Sequence, residues 1–274
     1  MPLDPVAASP VLPGLIAIVL YLAGTGLQAR TLAHNAKLSM RLLTALAVPA
    51  IVLHAFAVHA QIDAPGGVNL GLFPVASLTA LIMVALVTIL STVQPVRSLL
   101  VVLFPLSALA LTASLVAEPT SKAVEASDAG LGTHIFVSIL AYSILMMAAI
   151  QSIVLGFVER SIRTRSHILL LRILPPLETM ERLLFAMIWA GFAALTGAIG
   201  TGFLYLEDMF AQHVVHHTVL TSLSWAIYGG LLAGRLWLGW RGASAVRWTI
   251  IAFTFLLLGY FGSKFVLEML LQRG

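Results

Sequence analysis

The chain has 274 residues, of which 60% are hydrophobic and only 9% charged, and its mean hydropathy is +1.02. Soluble domains carry about 25% charged residues, so this composition excludes a soluble enzyme or carrier of any size and leaves a protein that crosses a membrane many times. The formal net charge of +4 is no nucleic-acid signal. The basic residues sit in short segments between apolar runs, and no basic patch carries interleaved aromatics.

About 20 apolar residues cross about 30 Å of hydrocarbon. Taken in chain order, the apolar runs predict eight spans, at 12–29, 41–60, 70–93, 97–117, 132–158, 183–205, 216–237 and 248–270. The first follows Met1-Pro2-Leu3-Asp4, and its positive charges, Arg30 and Lys37, come after it. A secretory signal has its charges before the apolar run, so this run reads as an uncleaved span. Between the third and fourth spans, Gln94-Pro95-Val96-Arg97 leaves room for a very short turn. Pro175-Pro176 ends the longest loop, 159–182, and Glu178 and Glu181 suit the first turn of the helix that follows.

Orientation follows from lysine and arginine. Arg30, Lys37, Arg41, Arg97, Arg160, Arg163, Arg165, Arg172, Arg182, Arg235, Arg241 and Arg247 fall on one side, and Lys122, Lys264 and Arg273 on the other. Cytoplasmic loops hold the excess of basic residues, which predicts both termini outside. The expected fold is therefore all-α, a polytopic membrane bundle of about eight helices forming one domain over 1–274. Trp237, Trp240 and Trp248 flank the last inner loop as interfacial tryptophans do.

Six of the eight histidines, His54, His59, His134, His213, His216 and His217, map to the outer side under this topology, leaving His34 and His167 inside. Imidazole is the commonest metal ligand among side chains and is costly within a bilayer, which makes an outer-facing metal or haem site the first functional reading. Cysteine is absent, so thiolate ligation, a CxxC redox pair and covalent haem attachment are excluded. His54 lies about 9 Å inside the outer end of its span at 1.5 Å per residue, behind Pro49. It reads equally as a ligand and as a histidine bonded to a neighbouring helix. His59 reads as interfacial. His134 sits in the first turn of the fifth span after Thr133, a candidate cap. His213 and His217 share a helix face if that helix starts early, whereas His216 and His217 point apart. Lys264 is a lone cation near the outer end of the last span, with Glu268 four residues on. It reads either as a headgroup anchor or as a partner for an anion such as a haem propionate. Gly191, Gly197, Gly200 and Gly202 read as close-packing positions. No hydrolase triad, P-loop, GxGxxG or HExxH is present, which points away from an enzyme and assigns no catalytic residue.

The run His134-Ile-Phe-Val-Ser138-Ile-Leu-Ala141-Tyr142 resembles a helix start of the cytochrome c assembly proteins of the CcsA, CcmC and HemX type, whose histidine there is an outer-face haem ligand. Leu223-Ser224-Trp225-Ala-Ile-Tyr228 through Arg235-Leu236 resembles the helix that follows their tryptophan-rich loop. Pro175-Pro176-Leu177 with Glu181, Gly239-Trp240-Arg241-Gly242 and Tyr260-Phe261-Gly262-Ser263-Lys264 are closest to the small YpjD/HemX-like subgroup. The resemblance covers nearly the whole chain. It departs at Glu207-Asp208-Met209-Phe210-Ala211-Gln212-His213, which has no tryptophan, and at Ala233 and Ser263-Lys264, where the family carries further histidines. The resemblance implies a haem-handling membrane protein of cytochrome c assembly with noncovalent haem b. His134 is then one axial ligand (a metal site of His134 with His216), with His216 or His217 the second, His54 on the entry path or an alternative ligand, and Lys264 on a propionate. Ligation needs neutral imidazole, so occupancy is expected to fall in acid. The implied partners are haem, the lipid bilayer and other maturation proteins of a bacterial inner membrane. The other readings are a membrane partner or assembly factor with a vestigial site, and a small transporter.

Overall fold

The structure, a computed structural model, describes residues 9–33, 40–64, 67–117, 129–165, 174–205 and 215–271. His34, His167 and His213 lie outside the described residues, as does the acidic stretch before the seventh span. Eight long helices account for nearly all of what is described: α1 (Val11–Ala33), α2 (Met40–Ile62), α3 (Leu72–Leu90), α4 (Leu100–Val116), α5 (Ala129–Thr164), α6 (Leu177–Tyr205), α7 (Val215–Trp237) and α8 (Ala243–Leu270). Seven of them are long and apolar enough to cross a membrane. The remaining helix, α7, has 23 residues and the length to cross. Its interior face is polar, as described below, which makes it the least apolar of the set. The one sheet among the described residues is a two-residue antiparallel ribbon, with Asp63 opposite Val68 and Ala64 opposite Gly67. The chain is thus an all-α, multi-pass membrane protein.

Several helices outrun their predicted spans, α5 and α6 the furthest. α5 has 36 residues, about 54 Å at 1.5 Å each, well beyond the hydrocarbon thickness. The surplus turns carry Glu159, Arg160 and Arg163, and Arg163 pairs with Glu159 at 3.5 Å. Charge ends an apolar span in the sequence, but it does not end a helix. α6 likewise begins at Leu177, directly behind Pro175-Pro176, where the Met180 N–H already donates to the Pro176 carbonyl at 3.1 Å.

The chain divides into two compact units. The first contains α1–α4. α1 packs on α2 and α4, and α3 on α2 and α4. Small residues let these helices close: a Cβ at Gly24 would overlap the Phe104 ring, and one at Gly14 the Leu115 side chain. α2 runs unbroken through Pro49 and α4 through Pro105. At the α2–α3 corner the Asn69 N–H closes on the Ile62 carbonyl, and the Asn69 side chain accepts from Gly71 N–H at 3.0 Å. Ser114 on α4 bonds Gln61 on α2.

The second unit contains α5–α8. α5 packs along α6 and against α8, and α7 packs on α6 and α8. Gly191 faces Leu145 and Gly197 faces Val137 across the α5–α6 seam, as expected, whereas a Cβ at Gly200 would meet open space; Gly130 of α5 faces the Tyr205 ring. α7 and α8 form a hairpin whose turn holds Gly239 and Gly242 at positive φ, +67° and +51°. Both positions favour glycine. Trp240 folds back from this turn onto Gly234, where any Cβ would strike the indole, and stacks on Trp248 at 5.9 Å with 4° between planes.

Candidate functional site

Consecutive long helices in the second unit alternate in direction, so the start of α5, the end of α6, the start of α7 and the end of α8 share one end of it. The topology predicts that this end faces outward. His134, in the second turn of α5, is half-buried. Its Nδ1 lies 3.0 Å from the Ala198 carbonyl oxygen and 3.2 Å from Thr201 Oγ1, both on α6. A carbonyl can only accept, so Nδ1 carries the hydrogen and Nε2 keeps its lone pair. No described residue hydrogen-bonds Nε2.

His217, in the first turn of α7, is also half-buried. Its Nδ1 is 3.2 Å from Thr221 Oγ1, one turn along the same helix. Its ring meets Tyr260 of α8 edge-on, with centroids 6.0 Å apart. His134 and His217 stand at the same end of the second unit, near the starts of α5 and α7. His216, the neighbouring position, is exposed. Adjacent residues on a helix point about 100° apart, so α7 turns one imidazole toward α8 and the other away.

The wall beside His217 is aromatic and comes from an irregular part of α8. That helix widens into π turns at Leu258–Gly262 and Val266–Leu270, a form found mostly at functional positions. At the first of these, Tyr142 Oη of α5 donates to the Leu256 carbonyl at 2.6 Å and Ser263 Oγ to the Gly259 carbonyl at 2.7 Å. Gly259 lets α7 come close, with Thr221 Oγ1 and the His217 carbonyl 3.4 and 3.6 Å from where its Cβ would stand. Tyr260 and Phe261 contact the Tyr142 ring at 5.9 and 6.0 Å. Further along, Lys264 Nζ sits 3.3 Å from Glu268 Oε1, and the carboxylate is buried. The sequence gives no warning of these π turns, since Leu-Gly-Tyr-Phe-Gly carries no proline and no polar break.

His54 belongs to the first unit. It is fully buried, with Nδ1 3.1 Å from Tyr21 Oη of α1 and Nε2 2.9 Å from Ser77 Oγ of α3. Both ring nitrogens are engaged, and the imidazole ties three helices together. An axial ligand needs one nitrogen bare, so His54 has that role only if Tyr21 or Ser77 lets go. Replacing His54 with alanine leaves two buried hydroxyls without their partner. The expected cost is about 2–4 kcal/mol, seen as a lower melting temperature in detergent with no change in any bound-haem spectrum. A lost spectrum at unchanged stability would make His54 a ligand. His59 is exposed, as an interfacial residue is.

At the opposite end of the second unit, Glu181 forms a contact that the sequence does not reveal. The first-turn placement read for it has little to do with its role. Its side chain is buried, and its Oε1 accepts from Arg235 Nη1 at 2.8 Å and from Arg241 Nε at 3.0 Å. Arg235 also donates to the Trp240 carbonyl at 3.2 Å and lies 4.6 Å over the Phe185 ring. One carboxylate thereby binds α6, α7 and the α7–α8 turn. No group of three or more His, Cys, Asp or Glu among the described residues is placed to hold a metal ion.

The family described as Cytochrome C assembly protein matches residues 13–271. The chain belongs to that family. Among curated proteins it is 29% identical to the inner membrane protein YpjD of Escherichia coli K12 over 259 residues, 93% of this chain and 98% of the relative. It is 36% identical over 140 residues to an uncharacterized 28.8 kDa protein of Azospirillum brasilense, 50% of this chain and 52% of that one. No solved structure matches. The family match spans both compact units and contains every residue of the His134–His217 group and of the Glu181 cluster.

Proposed function

We propose that this protein holds haem b noncovalently at its outward end as an accessory of cytochrome c assembly in a bacterial inner membrane, with His134 and His217 as the residues that would hold its iron. The observation that carries the reading is the Ala198 carbonyl on His134 Nδ1. Metal-ligating histidines characteristically donate their second ring N–H to such an acceptor, which fixes the tautomer and aims Nε2. Thr221 orients His217 in the corresponding way. The donor set is all nitrogen, as a b-type haem accepts, and Tyr142, Tyr260 and Phe261 supply apolar walls. His216, being exposed, is the less suitable second ligand. Among the described residues Lys264 is a cation at this end, and a propionate there would share it with Glu268. Bound haem would supply the iron centre. The chain would orient two neutral imidazoles toward it, and protonation of either ring in acid would remove its lone pair and weaken binding.

Haemin titration of the detergent-purified protein tests this. A Soret band saturating at one haem per chain supports it, and no shift on adding haemin contradicts it. Thr201→Val and Thr221→Val, which loosen the two rings without removing them, are expected to weaken binding about 10-fold or more each. A second reading, a membrane assembly partner without haem, is favoured by the absence of tryptophan from 207–213 and of histidine at Ala233. The same titration separates the two.

A further inference from the structure

The face of α7 that carries His217 continues as Thr221, Ser224 and Tyr228, at helical spacing. Thr221, Ser224 and Tyr228 are all buried. The stripe runs 11 residues, about 16 Å, through a helix pair that elsewhere packs leucine. Ser224 Oγ donates across the hairpin to the Ala252 carbonyl of α8 at 2.8 Å, which fixes the register. One turn further along α7 stands Tyr228, and three residues back along antiparallel α8 stands Thr249, on the faces that the Ser224–Ala252 bond turns toward each other. Both residues are 0% exposed, and neither Tyr228 Oη nor Thr249 Oγ1 has a hydrogen-bond partner among the described residues.

The Thr249 hydroxyl is the more telling of the two. Many threonine hydroxyls on the long helices turn back to their own backbone: Thr25 to Tyr21, Thr79 to Val75, Thr112 to Ala108, Thr196 to Phe192, and Thr254 of α8 itself to Ile250, all at 2.7–2.9 Å. Among the described residues Thr249 shares its lack of a partner with Thr88 of the first unit, but only Thr249 has a second such hydroxyl, Tyr228, across its own seam. Thr249 forgoes that acceptor and is still buried. A buried hydroxyl without a partner costs about 1–3 kcal/mol. Two of them at one level of one seam mark a place built for a small polar ligand. Buried waters take such positions, bonding two to four protein groups.

We propose that the α7–α8 seam binds an internal water between the Tyr228 and Thr249 hydroxyls, at the far end of the polar stripe that begins at His217. The site stands whether or not His217 ligates haem. It gives the far end of the polar stripe that begins at His217 a hydrogen-bond partner inside the hairpin.

Radiolytic hydroxyl-radical labelling of the intact protein in nanodiscs tests it, because radicals formed from a bound water label the side chain beside it. Tyr21 is the internal control, equally buried but with its hydroxyl on His54. Labelling of Tyr228 is expected to be at least about 10-fold faster than that of Tyr21, given a resident water. Equal rates would overturn the site. Thr249→Val keeps the shape and removes one partner, so it should slow Tyr228 labelling and lower the melting temperature, while Thr249→Ser should preserve both. A Thr249→Val protein that melts higher, with Tyr228 labelled as before, would show that the hydroxyl had no ligand.

Discussion

Replacing His134 with alanine is expected to lower haemin affinity by about 100-fold or more, beyond the 10–100-fold typical of losing an outer-shell partner, and to move any residual Soret band to a position with one imidazole fewer. The effect is specific because the ring is held from α6 through Nδ1, by Ala198 and Thr201, and presents Nε2 alone. Alanine removes a half-buried side chain from the first turns of a 36-residue helix, so the melting temperature of the apoprotein should change little. His217→Ala should have a comparable effect on the spectrum. His216→Ala, at an exposed position, should have none. A titration in which His216→Ala lost binding and His217→Ala kept it would reverse the assignment on α7.

The second large effect concerns the other end of the same unit. Glu181→Ala is expected to destabilise the protein by about 3 kcal/mol, the lower end of what breaking a buried ion pair costs. The arginine side chains are partly exposed, 30% for Arg235 and 60% for Arg241, so water recovers part of the loss. What remains is the desolvated side of Arg235, held over Phe185 and against the Trp240 carbonyl, with no anion to balance it. Glu181→Gln keeps an acceptor oxygen and loses the charge, and should fall between wild type and alanine. Thermal melting in detergent with haem absent measures both. Equal melting of Glu181→Ala and wild type would show that Trp240, Gly234 and the turn hold the hairpin without the carboxylate.

Much of the architecture is legible in the sequence because apolar run length reports directly on membrane spans. The predicted spans and the helices overlap throughout, but behind Pro175-Pro176 and Gly242 the helix starts at the turn signal itself, six and five residues before the predicted span. The largest difference is at α5, whose helix continues past its apolar stretch on charged residues. The histidine clustering named six outer positions, of which His134, His216 and His217 share one end of the second unit, while His54 and His59 belong to the first. It could not separate His216 from His217, because that choice depends on how α7 is rotated against Tyr260 of α8. His54 looked like its neighbours in sequence, but its partners come from positions 33 residues before and 23 after it. No local pattern marks a bond of that range. Glu181 was hidden for the same reason, its two arginines lying 54 and 60 residues away.

The most direct test of the central reading is to purify the wild-type protein and a His134→Ala/His217→Ala double variant from haem-sufficient cells and to assay both by pyridine haemochrome and by oxidised and reduced spectra. The reading predicts near-stoichiometric b-type haem in the wild type and almost none in the double variant at similar yield. Equal haem in both, or none in a wild-type protein that also fails to take up added haemin, would contradict it and leave a family member that works by contact with other membrane proteins.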